Sequence, residues 1–166
     1  MSEWIEFLWR AIFIGIGATL VMDIYKIIIK KLLGIKSLDF GLVGRWIGHF
    51  TKGQFYHNNI TKSTPVRGEK IIGWTAHYLI GISFTTLLLF IWGIGWTKNP
   101  TIIPALIIGI LTVAAPLFIM QPALGFGVAA SKTPNPKVSR ISSFLTHTIY
   151  GLGIYLAALL LKIVLN

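Results

Sequence analysis

The chain has 166 residues, 54% of them hydrophobic and 12% charged, with a net charge of +10 and no cysteine. A soluble domain of this size carries about a quarter charged residues, so an ordinary soluble domain is excluded. The missing cysteines exclude structural disulfides, thiolate metal sites, covalent haem attachment and cysteine nucleophiles.

Four stretches reach the roughly 20 mainly apolar residues that a bilayer crossing needs: 4–29, 71–96, 101–124 and 141–164. They predict an all-α membrane protein, a four-helix transmembrane bundle forming one integral membrane domain over 1–166. The opening MSEWIEFLWR carries two glutamates against one arginine, and no small-residue cleavage site follows its apolar run, so the first span is expected to be retained. Arg10 and Lys26 flank its apolar centre and would snorkel to opposite interfaces. Trp4 and Trp9 on span one, with Trp92 and Trp96 on span two, predict an aromatic belt at one interface.

Of the 15 Lys and Arg residues, nine lie between spans one and two when counted from Lys26 near the end of span one (26, 30, 31, 36, 45, 52, 62, 67 and 70), and three between spans three and four (132, 137 and 140). Only Arg10, Lys98 and Lys162 fall on the other side. The positive-inside rule then places both basic loops in the cytoplasm and both termini outside it. The basic excess, which on a soluble domain would suggest nucleic acid, reads here as topology and attraction to anionic lipid headgroups. No nucleic-acid partner is expected.

The long connection 31–70 holds LDFGLVGRWIGHF, 38–50, with Phe40, Val43, Trp46, Ile47 and Phe50 on one helical face and Arg45, His49 and Lys52 elsewhere. That pattern predicts a short cytoplasmic interfacial helix. Its glycines at 41, 44 and 48 weaken a free helix but would allow close packing. An ordered loop follows over 53–70, where Glu69 suits the positive end of the span-two helix. His49 and His57 read as ordinary interfacial residues. WTKNP, 96–100, makes a tight turn, and SKTPNPK, 131–137, a stiff one, with Ser139 or Ser142 as the cap of span four. Small residues four apart, Ala11 with Gly15, Ala105 with Gly109 and Gly153 with Ala157, allow close helix approach in a bundle or a dimer. Met22-Asp23 and Met120-Gln121, with His-x-x-x-Gly at 77–81 and 147–151, suggest two related hairpins.

Four strongly polar residues lie well inside the spans, one from each: Asp23, His77, Gln121 and His147. Counted inward at 1.5 Å per residue, they fall at similar depth in the cytoplasmic half. A polar side chain at that depth faces the bundle interior or a wet cavity. Pro116 and Pro122 bracket Gln121 and release carbonyls that need other partners.

The bland reading is local pairing of Asp23 with Lys26 and polar cross-helix contacts of about 0.6–2 kcal/mol each. Three functional readings compete with it. One is a ligand-binding layer for a small solute or ion, transported by a homo-oligomer. Another is b-type haem held by His77 and His147, or a redox metal. The third is a metal-dependent enzyme using His77, His147 and Asp23, with His49, His57 and Glu69 approaching from the loop. The sequence holds no HExxH, Asp-rich, G-x-S-x-G or phosphate-loop motif, so no catalytic residue is assigned and the reading leans away from an enzyme. No cofactor is required. A structural subunit of a larger membrane complex is the remaining alternative.

The order R-W-x-G-H at 45–49, G-E at 68–69, G-W-x-x-H-Y at 73–78, M-Q-P at 120–122 and T-P-N-P at 133–136 resembles a bacterial family of four-span inner-membrane proteins known only as a domain of unknown function. The resemblance runs over nearly the whole chain. It implies a bacterial origin, a multi-pass place in the inner (plasma) membrane and the four-span plan. It brings no activity with it.

Overall fold

A computed structural model describes residues 2–35 and 38–165; Lys36, one of the first loop's basic residues, lies outside them. Among the described residues there is no strand. Five helices follow in order: α1 (Glu3–Leu33), α2 (Phe40–Gly48), α3 (Glu69–Trp92), α4 (Ile102–Ala123) and α5 (Pro136–Leu165). All but α2 are long and apolar enough to cross a membrane. Large apolar side chains stay outside, Phe90 at 80% exposure among them, which suits a lipid surround and not water.

The helices form two compact units. Residues 2–35, 78–112 and 146–165 make the first, and 38–77 with 113–145 the second; α3, α4 and α5 contribute to both.

The first unit is a four-helix bundle. Ala11, Ile14, Ala18, Leu88, Leu89, Ala105, Ile108, Ile154, Ala158 and Leu161 fill its core. Close approach is set by small residues, as the spacing predicts: a Cβ on Gly109 would stand 2.6 Å from the Gly151 Cα, so α4 and α5 meet backbone to backbone. The Tyr150 hydroxyl, buried in this core, donates to the Gly81 carbonyl at 2.5 Å and lies 3.1 Å from the Thr85 hydroxyl. That satisfies a polar group which would otherwise be costly to bury.

The second unit is built on α2 and the loop after it. Here the expected face is only partly right. The buried residues of α2 are Gly41, Val43 and Gly44, while Trp46, Ile47 and Phe50 are half-exposed. A Cβ on Gly44 would land on the Glu69 carbonyl, and one on Gly73 on the Phe40 carbonyl. The glycines thus form the contact face, because only they let the two helix backbones touch.

Three boundaries differ from expectation. Span two stops at Trp92, and Ile94–Thr97 forms a 3-10 turn that buries Trp96. The aromatic belt is therefore split: Trp4 and Trp92 are exposed, and Trp96 is turned inward. Span three is regular only to Leu111; a π-helical stretch, Ala115–Met120, accommodates Pro116, whose missing N–H would break an α-helical ladder. Span four begins at Pro136, and its cap is Asn135, not Ser139 or Ser142: the Asn135 side chain accepts from the Val138 N–H at 3.4 Å, and proline is preorganised for the next position.

Candidate functional site

Each of the four intramembrane polar residues has a distinct setting. Asp23, ten residues before the end of α1, is 9% exposed in the first unit. The Tyr78 hydroxyl of α3 donates to its carboxylate. Lys26 is near enough to act on the same carboxylate, as local pairing predicts. His147, on α5, places Nδ1 3.0 Å from the Thr112 hydroxyl, which itself donates to the Gly109 carbonyl at 2.7 Å. Thr112 therefore accepts from His147, and the protonated ring nitrogen is Nδ1.

In the second unit, the His77 ring stacks on Phe40 with centroids 4.0 Å apart, and Trp74 meets it edge-on at 5.7 Å. Gln121 sits two residues from the end of α4, and its buried Oε1 has no donor among the described residues. The first unit thus joins Asp23 to Tyr78 and His147 to Thr112, two polar pairs that each cross between helices. Tyr78 was not singled out from sequence, although it closes the G-W-x-x-H-Y run. No three His, Asp or Glu side chains among the described residues are placed to share a metal ion.

Outside the spans, the sequence understated the loop. Arg45 donates from Nε and Nη2 to the two Glu69 oxygens, both at 2.8 Å, and from Nη1 to the Ile60 and Ser63 carbonyls at 3.2 and 3.1 Å. Glu69 also accepts from the Val66 N–H at 3.0 Å. A planar guanidinium, with its donors in a fixed fork, suits the four bonds that Arg45 makes here. His49 and His57 lie inside the second unit and not on its surface. Both are buried, with Nδ1 of His49 2.7 Å from Nε2 of His57. The His57 and Ile60 N–H groups donate to the Ala123 and Leu124 carbonyls at 2.8 and 3.0 Å, which ties the loop to the end of α4 and satisfies carbonyls left over there.

Burial, and then the facing His49, hold the His57 pKa below its ordinary value. The folded chain therefore takes up this proton only at lower pH than the unfolded chain. The stability it favours is complete above the unfolded value near 6.5 and is lost as pH falls below it. Thermal unfolding between pH 8 and 5 is expected to show a falling midpoint below that value, and His57→Gln is expected to flatten the fall.

A third cluster lies at the other end of the first unit. Arg10, 7% exposed, donates to the Thr97 hydroxyl and to Glu6, each at 2.7 Å. Its guanidinium carbon lies 5.3 Å from the Trp9 ring centroid. Three buried donors here, Trp9 Nε1, Arg10 Nε and Trp96 Nε1, have no acceptor among the described residues. Each such group costs about 1–3 kcal/mol when left unpaired.

Together these features define a helical bundle of membrane-spanning type with polar side chains held inside its spans. The chain belongs to the family described as "Protein of unknown function (DUF2938)", whose model matches residues 12–161. No curated protein and no solved structure matches it.

Proposed function

We propose that the protein binds and moves a small polar solute or ion across the bacterial inner membrane, as a homo-oligomer, using Asp23, His77, Gln121 and His147. The observation that carries this reading is Asp23. A carboxylate buried in a spanning helix and held by the Tyr78 hydroxyl is costly in lipid and typically marks an ion or proton path. Tyr78 orients the carboxylate, and Lys26 balances its charge. His147 adds an imidazole, whose Nδ1 lies 3.0 Å from the Thr112 hydroxyl. In this reading both basic loops are cytoplasmic and rest against anionic headgroups, with both termini on the opposite side.

The test is flux through the purified protein in liposomes that contain a pH indicator, with a proton, sodium or potassium gradient imposed. Wild type is expected to move protons or exchange one of these cations for protons. Asp23→Asn is expected to fall to the rate of empty liposomes, and Tyr78→Phe to retain part of the flux. Wild type no faster than empty liposomes for all three ions, or Asp23→Asn equal to wild type, would refute the reading. The haem alternative predicts a protein coloured in the Soret region. The ion reading predicts a colourless one, which an absorbance spectrum of the purified protein decides. A stoichiometric partner that co-purifies would instead favour the subunit alternative.

A further inference from the structure

We propose that the Arg10 end of the first unit binds a phosphate-bearing ligand, either the phosphodiester of a membrane phospholipid or free phosphate, through Arg10, Trp9 and Trp96. The site is separate from Asp23 and does not depend on the transport reading.

Its chemistry is one-sided. Trp9 Nε1, Arg10 Nε and Trp96 Nε1 are N–H donors with no acceptor among the described residues, and Arg10 and Trp96 are each only 7% exposed. Tryptophan and arginine side chains offer no acceptor of their own, so a ligand that satisfies the cluster has to bring several acceptor oxygens.

The donors are also fixed in place. Thr97 accepts from Arg10 Nη1 while donating to the Ile94 carbonyl at 2.8 Å, and Glu6 accepts from Arg10 Nη2. Two guanidinium nitrogens are thereby committed, and Nε is left without an acceptor among the described residues. Trp96 is buried in the core and Trp9 packs against it, so neither indole is an ordinary lipid-facing belt residue. Exposed Trp4 and Trp92 provide the contrast.

Charge agrees with donor geometry. Lys98 adjoins Thr97, and Lys162 donates to the Asn99 side chain at 3.1 Å. The three basic residues that lie outside the two basic loops, Arg10, Lys98 and Lys162, thus gather at this end. Glu3 and Glu6, in the first turn of α1, offset two of them and leave a net positive charge. An anionic oxygen ligand is favoured by charge-assisted hydrogen bonds, and phosphate provides several oxygens on one centre.

The experiment uses the full chain in mild detergent. Retained phospholipid is read by native mass spectrometry, and delipidated protein is titrated with inorganic phosphate while tryptophan fluorescence is followed. Wild type is expected to retain a phospholipid or to show a saturable phosphate response. Trp9→Phe and Trp96→Phe each delete one N–H and keep a ring, and each is expected to weaken binding several-fold. Arg10→Gln is expected to weaken it at least about tenfold, the scale of one charge-assisted bond. If Arg10→Gln does not fold, the two phenylalanine variants decide. Retention of lipid with no phosphate response identifies the lipid source, and a phosphate response that displaces lipid or occurs without it identifies free phosphate. A wild type that neither retains lipid nor responds to phosphate, or phenylalanine variants that bind as wild type does, would overturn the proposal.

Discussion

Arg45→Met is expected to destabilise the second unit by about 3 kcal/mol, the lower end of the range for breaking a largely buried ion pair. The methionine would fill much of the space but would leave the Glu69 carboxylate and the Ile60 and Ser63 carbonyls without their donor. The two charged side chains are 12% and 19% exposed, so water can reach them only in part. Arg45→Lys is expected to recover part of the loss, because an ammonium cannot span both Glu69 oxygens and the carbonyls together. Exchange of the two charges, Arg45→Glu with Glu69→Arg, is expected to recover little, since the carbonyls stay behind on the loop. Hydrogen exchange over 53–68 checks this: Arg45→Met should speed exchange across the loop while the core of the first unit is unchanged.

Gly44→Ala and Gly73→Ala are expected to cost more still, at or beyond the top of the roughly 1–3 kcal/mol range for overpacking. Either methyl group would fall on a backbone carbonyl, of Glu69 or of Phe40. Backbone in a helix cannot move aside as the end of a flexible side chain can. Separating α2 from the start of α3 would also pull Glu69 from Arg45, so the two losses should not simply add. Gly95→Ala is the control. No heavy atom lies within 4 Å of a Cβ there, and its effect should stay small. Thermal unfolding of purified variants, or their yield in membranes, orders the series.

The four spans were legible because lipid imposes one demand on every residue of a crossing helix, and the composition records it. The inward setting of Asp23 was legible for the same reason. Its partner was not: Tyr78 carries no charge, and a tyrosine in an apolar run reads as packing. The proline-rich part of span three was read as releasing carbonyls, but the π-helical accommodation at Ala115–Met120 depends on neighbours that periodicity does not see.

The second unit was the hardest to read. Amphipathic analysis assigns burial to large apolar residues, whereas α2 buries glycines because backbone contact is closer than any side chain permits. Arg45 was legible only as lying off the apolar face of α2, and Glu69 as a partner of the helix dipole. Their 24-residue separation hides the pair, and no local rule joins them. His49 and His57 were hidden similarly: two imidazoles eight residues apart in a loop give no periodic signal, and only the fold brings them to 2.7 Å. The Asn135 cap was passed over for later serines, although proline directly after it was the better sign.

The central claim is that Asp23 is a working intramembrane acid and not a packing contact. Infrared difference spectroscopy of the protein in bilayers, recorded at one pH with and without the transported cation, tests this most directly. A carboxylate band that changes when the cation is added, and that is missing in Asp23→Asn, is the predicted result. A wild-type spectrum identical to that of Asp23→Asn, or a band indifferent to every cation and solute that the protein moves, would contradict it.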